Sequence, residues 1–486
     1  MAEAPTKSAV QAKAYIDGKW TVGSSTREFE VRSPVDGSVL GRLPEASAED
    51  VDRAVTAAVR AFKEVRLTPY QRYEILTRAA NLIQARAGEL AHLIVMEAGK
   101  PLRDARVEVR RAVQCYLLAG EEAKRIHGET LPVDATPGSE NRFGFTLRAP
   151  AGVVCAITPF NAPLNQLNHK VPTAIAVGDT VVLKPAEVCP LSAIEEVKIL
   201  EEAGLPAGVL NLLHGPGETV GEMLLRDPRF AIYTFTGSAA VGKHIHETVG
   251  LRRTLLELGS VSPTIVAGDA DLERAATACA KGGFAYAGQL CISVQRILVQ
   301  HDVMEDFLSV FVPKVKALKV GDPRDESTDV GPLISVDAAR RAESWIAEAR
   351  ERGAMVHTGG SRDGGFLQPC VISNLDRALP LWCAEAFAPV VAVAPFEKLD
   401  DAIAIANDTP FGLQAGVFTE SFDNAFRAIH HLQFGGVMIN DVPTYRIDSM
   451  PYGGVKDSGM GREGIRYAME ELTDLRTSVW NLRERP

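Results

Sequence analysis

The sequence predicts an α/β protein built on parallel sheets, with helices over both faces and one projecting β-hairpin. Three observations carry that expectation. Between residues 151 and 260, short apolar strand patterns alternate regularly with helical ones, and strands apolar on both faces belong in sheets covered on both sides. The second half repeats the alternation more loosely. Residues 128–152 break it with a cluster of turn residues and β-formers, the signature of a hairpin.

The elements follow in order. Residues 48–65, 70–99 and 102–126 repeat apolar positions at helical spacing and predict three long helices. After the hairpin come strands at 152–159, 179–186, 208–215, 231–238 and 253–260, separated by helices at 165–178, 191–204, 217–228 and 239–250. Ligands of such sheets bind beyond the carboxyl ends of the strands. Further on, 271–287, 303–318 and 336–353 read as helices, and "RILVQ" (296–300) and "VVAVAPF" (390–396) as strands. Residues 434–464, crowded with Gly, Pro and Asp, read as a long loop, a length that marks function or disorder. "LRTSVWNL" (475–482) is the last strand candidate.

Composition narrows the function classes. A chain of 486 residues exceeds one small core and, at roughly 100–200 residues per domain, predicts two to four domains. A net charge of −10 makes nucleic acid or an anionic membrane surface a poor partner. No window reaches the ~18 continuous apolar residues of a membrane span. The first twenty residues lack the apolar core of a secretion signal, so a cytoplasmic protein is expected. The seven cysteines are widely spaced with no CxxC pair, which suggests neither a disulfide framework nor a metal site.

Five positions could carry chemistry. Cys291, in "GGFAYAGQLCISVQR" (282–296), sits where a helical pattern stops and a strand is about to start. It is either a small buried hydrophobe or a nucleophile at the mouth of a cleft. "YTFTGSAAVGKHI" (233–245) passes from strand through a glycine turn to a helix. There Gly237 would let a ligand approach the backbone, and Ser238 and the helix start offer donors to phosphate. "HGPGETVG" (214–221), with Gly217, is a similar turn. The alternative for both is a plain strand-to-helix turn. Lys184 and Glu187 in "VVLKPAE" follow a strand, where an acidic group would accept ribose hydroxyls and repel a 2′-phosphate, or the two form a solvated pair. Glu257 is a carboxylate in an apolar strand, costly to bury, and is either an acid–base group or half of a buried ion pair. Asn161, in "ITPFNAPLNQ", is either a rigid oxyanion donor or a turn asparagine.

Taken together and in this order, these motifs resemble the NAD(P)-dependent aldehyde dehydrogenases over nearly the whole chain. The residues that carry the likeness are "PFNAP", "KPAE", "FTGSAAVG", "LELGS", "GQLC", "EAFAPV" and "PYGGVKDSGMGREG". Phe160 stands where the family commonly has Trp, and Ser260 and Ala388 replace frequent glycines. The resemblance implies two Rossmann-type parallel-sheet domains and a β oligomerisation arm. Their expected spans are 1–127 with 151–257 for the dinucleotide, 258–465 for catalysis, and 128–150 with 466–486 for the arm. A homodimer or homotetramer is then expected, since an uncapped edge hairpin invites pairing.

The resemblance also implies roles. Cys291 attacks the aldehyde carbon, Asn161 and the Cys291 N–H hold the oxyanion, and Glu257 activates water. The cofactor, expected to be NAD rather than NADP, is met by Ile157, Thr158, Phe160, Lys184, Glu187, Gly217, Thr236, Gly237, Ser238, Leu258, Glu385 and Phe387. The substrate is met by Arg111, Asn165, His169, Leu290, Ile292 and Arg446, with Ala162 and Gln166 beside them. This polar set with two arginines suggests a small aldehyde with an anionic or hydroxylated tail, as in the branch that includes succinate-semialdehyde, lactaldehyde and phosphonoacetaldehyde dehydrogenases. The alternatives are a hydrophobic or aromatic aldehyde, a CoA-acylating enzyme, which typically lacks the base glutamate, or a catalytically inactive member of the fold.

Overall fold

The structure, a computed structural model, describes residues 10–11 and 13–483. The reading of the first twenty residues as lacking a leader falls partly outside them, as do the outer ends of the expected spans 1–127 and 466–486.

Two parallel-sheet units and a separate β-arm make up the molecule. The first sheet has eight strands, in the order Gly459–Met460, Arg253–Glu257, Ile232–Thr236, Val153–Ile157, Thr180–Lys184, Leu210–Leu212, Ala14–Ile16 and Lys19–Thr21. Its five central strands are parallel, all their residues buried but Arg253 and Ile157, because Val, Ile and Leu fill both faces. The chain order reverses between Val153–Ile157 and Ile232–Thr236, so a crevice opens at the carboxyl ends of those two strands. The second sheet has seven strands, in the order Met355–Thr358, Cys370–Ser373, Val390–Phe396, Arg296–Gln300, Pro263–Val266, Gln414–Phe418 and Gly436–Ile439, parallel except at the first pair.

The helices are set by local signals. Ser47 and Asp50 form a reciprocal cap that starts Ala48–Glu64. Thr68, Pro69 and Gln71 do the same for Pro69–Ala85. The helix expected over 70–99 is two, Pro69–Ala85 and Ala87–Ala98, because Arg86 leaves helical geometry between them. The helix over 165–178 is likewise two, Asn165–Asn168 and Val171–Val177, since Pro172 has no N–H to continue the first ladder and begins a second. The loop over 434–464 contains the edge strand Gly436–Ile439, concealed by the glycines around it. The N-terminal strands from Ala14 to Pro44 carried no strand expectation and supply both the edge of the first sheet and a small sheet of their own.

The hairpin expectation holds. Thr130–Leu131 and Arg142–Pro150 pair antiparallel, and Thr473–Asn481 adds along the full length of the longer strand. This three-stranded arm leaves Phe143, Leu147, Leu475, Val479 and Trp480 exposed.

Candidate active site

A cleft of about 1030 Å³ opens at the switch point and runs between the two sheets. Its lining brings together Cys291, Glu257 and Asn161. It also includes all twelve residues expected on the cofactor side: Ile157, Thr158, Phe160, Lys184, Glu187, Gly217, Thr236, Gly237, Ser238, Leu258, Glu385 and Phe387. They are scattered over more than two hundred positions of sequence; most meet because the parallel strands of the first sheet end together, while Glu385 and Phe387 come from the turn before Val390–Phe396 of the second sheet.

Local geometry explains how each group is held. The helical pattern over 271–287 stops short, at Phe284. Tyr286 and Ala287 then take left-handed backbone at φ 47° and 54°. Such conformations cost about 1–2 kcal/mol per non-glycine residue and must be held by their surroundings. Here Tyr286 Oη donates to the Ala98 carbonyl at 2.6 Å, and Lys100 Nζ lies 4.7 Å from the ring centroid. The turn ends the helix and delivers Cys291 to the cleft, where it is half-buried. Enclosure by both lobes pushes its thiol up to about 12, opposed by the Tyr452 hydrogen bond and by Arg446. Tyr452 Oη is 2.9 Å from the sulfur.

Asn161 is buried, and its Nδ2 donates to the Gln289 carbonyl at 3.0 Å, two residues before the cysteine. That bond uses one of its two N–H groups. Glu257 ends its strand 4% exposed, with Oε2 unpaired. Burial, then the nearby Glu463 charge, hold its carboxyl well above the usual range, against Arg446, Lys170 and Arg462. Gly453 packs against it; a Cβ there would come 2.9 Å from Glu257 Oε1.

The cofactor side fits a dinucleotide. Thr158 Oγ1 and Thr236 Oγ1 are buried without partners, which is the state of groups awaiting a ligand. Ser238 caps the eleven-residue helix Ala239–Val249, whose first N–H groups face the cleft end of the sheet. Lys184 is buried and lies 3.6 Å from the exposed carboxylate of Glu187. Glu385 accepts from the Ser260 N–H at 3.0 Å, and burial lifts its carboxyl to about 7. Phe160 and Phe387 meet edge to face at 5.8 Å.

The six expected substrate residues lie outside that lining. Arg111, Asn165 and His169 converge on Asp448: Arg111 makes two bonds (2.6 and 3.1 Å), His169 Nε2 stands at 3.0 Å, and Asn165 Nδ2 donates at 3.4 Å. Burial opposes the Asp448 charge, but His169 and Arg111 outweigh it and hold the carboxyl far below the ordinary range. Cys115, His169 and Asp448 bring three metal-type ligand atoms within 4.8 Å of one another, yet the carboxylate is already occupied by Arg111. Arg446 pairs with Glu463 at 3.0 Å, lies 3.6 Å over the Tyr452 ring, and keeps a buried Nε without a partner. Leu290 and Ile292 flank the cysteine, Ile292 packing with Leu413 and Tyr452. Asp448, Glu463, Lys170 and Tyr452 carried no role in the sequence; two of them lie in the quoted "PYGGVKDSGMGREG", which was the only signal.

A crevice at the switch point of a parallel sheet, lined by a cysteine, an amide and a buried carboxylate, is the form of a nucleotide-binding α/β enzyme. The chain belongs to the aldehyde dehydrogenase family, whose sequence model ("Aldehyde dehydrogenase family") matches residues 20–478. It is an NAD(P)-dependent aldehyde dehydrogenase of the α/β fold. A 3-sulfolactaldehyde dehydrogenase of Priestia aryabhattai is 45% identical over 468 residues, 96% of this chain and 98% of the relative. The glyceraldehyde-3-phosphate dehydrogenase GapN of Methanocaldococcus jannaschii, solved with NADP, superposes with TM-score 0.90 at 41% identity over 94% of this chain and all of that one. Aldehyde dehydrogenase 21 of Physcomitrella patens, solved with its product succinate, gives TM-score 0.95 at 36% identity over 98% and 99%. Among the described residues no helix is long and apolar enough to cross a membrane.

Proposed function

We propose that the protein oxidises a short aliphatic aldehyde with an anionic or hydroxylated tail to its carboxylate, using NAD⁺ and water. The observation that carries the chemistry is the meeting of Cys291, Asn161 and Glu257 in one cleft. Cys291 sheds its proton and attacks the aldehyde carbon. The free N–H of Asn161 and the Cys291 backbone N–H hold the oxyanion of the thiohemiacetal. The bound nicotinamide supplies acceptance of a hydride from the carbon on sulfur. Glu257 then takes a proton from the water that attacks the thioester, and the acid leaves. Glu257 acts as a base only when ionised. Its raised pKa therefore moves the rising limb of thioester hydrolysis to higher pH than an ordinary glutamate would give.

Ile157, Thr158, Phe160, Gly217, Thr236, Gly237, Ser238, Leu258, Glu385 and Phe387 would hold the dinucleotide, with Lys184 and Glu187 at the adenosine ribose. The Glu187 carboxylate favours ribose hydroxyls over a 2′-phosphate. NAD⁺ should therefore be preferred in kcat/KM, and Glu187→Gln should narrow the preference. NADP⁺ is the second reading, supported by the buried Lys184 cation and the NADP-bound relative.

An anionic tail is supported by the compounds the relatives act on or release, sulfolactaldehyde, glyceraldehyde 3-phosphate and succinate, each short and anionic. The assignment draws also on Arg446 with its unpaired Nε and on Arg111, Asn165 and His169 around Asp448, with Leu290 and Ile292 shaping the passage at the cysteine. In this reading residues 1–127 with 151–257 bind the dinucleotide, 258–465 carry the catalysis, and 128–150 with 466–486 form the arm. The exposed apolar face of the arm supports a homodimer or homotetramer, which light scattering in solution reads directly. The functional test is NADH formation from sulfonated, phosphorylated, carboxylated, hydroxylated and aromatic aldehydes, with and without CoA, repeated after thiol alkylation. Preference for aromatic aldehydes, or dependence on CoA, would refute the proposal.

A further inference from the structure

Tyr452 stands in the glycine-rich motif near the C-terminus, 2% exposed, with its hydroxyl oxygen 2.9 Å from Cys291 Sγ. Among the described residues no other side chain hydrogen-bonds that sulfur; the Asn161 amide turns to the Gln289 carbonyl instead. Tyr452 is fixed from two sides. Its backbone exchanges hydrogen bonds with Glu463, N–H to carbonyl at 3.0 Å one way and 2.6 Å the other. The Arg446 guanidinium, itself tied to Glu463, lies 3.6 Å from the centre of its ring. A cation over the face of a phenol draws electron density from it and makes its O–H a stronger donor. Either atom of this contact can donate while both are protonated; burial keeps the Tyr452 hydroxyl protonated at neutral pH, so once the sulfur is ionised the oxygen donates and the thiolate accepts.

We propose that Tyr452 is a catalytic residue of the sulfur-attack step: its phenolic O–H donates to Cys291 Sγ and stabilises the thiolate, while its ring, pinned beneath Arg446, aims the sulfur into the cleft. The proposal rests on the reading of Cys291 as the nucleophile. The hydroxyl proton stays on Tyr452 throughout. The thiol proton leaves to solvent through the cleft, a sulfur lone pair forms the bond to the aldehyde carbon, and the carbonyl π pair moves to oxygen. Sulfur then accepts hydrogen bonds more weakly, so the contact favours the state before attack and not the thioester. Other charges facing the sulfur are Arg446, which assists, and Glu385 and Glu257, which oppose.

The test is the pH dependence of Cys291 alkylation by iodoacetamide in the full-length protein, read by mass spectrometry of the Cys291 peptide. Tyr452→Phe should slow alkylation about tenfold at every pH between about 7 and 9. Superimposable rate profiles would overturn the proposal. Replacing Tyr452 by 3-fluorotyrosine keeps the shape and strengthens the donor, so alkylation should quicken over the same range. A rate that stays or falls would overturn the proposal even if Tyr452→Phe folds poorly. Should full alkylation of Cys291 leave dehydrogenase activity intact, the nucleophile assignment itself fails, a result separable from failure of the tyrosine alone.

Discussion

The two sides of Cys291 are built on opposite principles. Toward the cofactor, polar atoms are left waiting: Thr158 Oγ1, Thr236 Oγ1 and Glu257 Oε2 are buried and unpaired around the cleft. Away from it, charges are largely matched within the protein. Asp448 is shared by Arg111, His169 and Asn165, and Glu463 by Lys170 and Arg446. The first arrangement suits a ligand that completes the hydrogen bonding. The second suits a rigid wall, in which Arg446 Nε, His169 Nδ1 and Gln166 Oε1 are the buried atoms without a partner beside these pairs.

The comparison can be broken at the sulfur first. Cys291→Ser should lower kcat by on the order of 10⁴-fold or more in steady-state NADH formation, because the hydroxyl is a far weaker nucleophile in this enclosure. On the cleft wall, Asn161→Ala should cost about 10²–10³ in kcat with KM little changed, as expected for a donor used mainly at the oxyanion. On the matched side the effect is smaller and falls on KM. Arg446→Leu should raise KM for an anionic aldehyde about tenfold and leave a neutral hydroxylated one within about twofold. Arg111→Leu should do less, since its two bonds already go to Asp448. Equal effects of both substitutions would contradict the contrast.

The smallest effect is on acid stability. Burial raises the Glu463 carboxyl, but Lys170, His169 and Arg446 outweigh it and bring it from 4.5 down to about 2. Its folded pKa is thus below the unfolded one. The stabilisation is complete above about pH 4.5 and is lost as pH falls toward about 2. Denaturant melts of Glu463→Gln across that window should lose part of the steepness seen in the unaltered chain.

The same contrast explains what could be read from the residues alone. The cofactor side is written locally: Gly237 and Ser238 follow their strand directly, as do Lys184 and Glu187, so a short window carries each signal. The matched side is written at long range. Arg111 and Asp448 are 337 residues apart, and Lys170 and Glu463 are 293 apart. A carboxylate in a Gly- and Pro-rich loop carries no local mark of the cation it will meet. Arg111, Asn165 and His169 were each expected near the substrate, but their common acceptor was not. The helical pattern that ran on to residue 287 misses the left-handed turn at Tyr286 and Ala287 for a related reason. Alanine favours helix and tyrosine tolerates it, and the turn is held by the distant Ala98 carbonyl and Lys100 together with Gln289, whose N–H and side-chain amide donate to the Tyr286 carbonyl.

The central claim is that Cys291 carries the acyl group and Glu257 removes it. Glu257→Gln protein, mixed with NAD⁺ and a substrate aldehyde and quenched, should form one equivalent of NADH. Its Cys291 peptide should be heavier by the mass of the aldehyde less two hydrogens. An NADH burst with the adduct on another residue, or turnover with Cys291 never modified, would contradict the account.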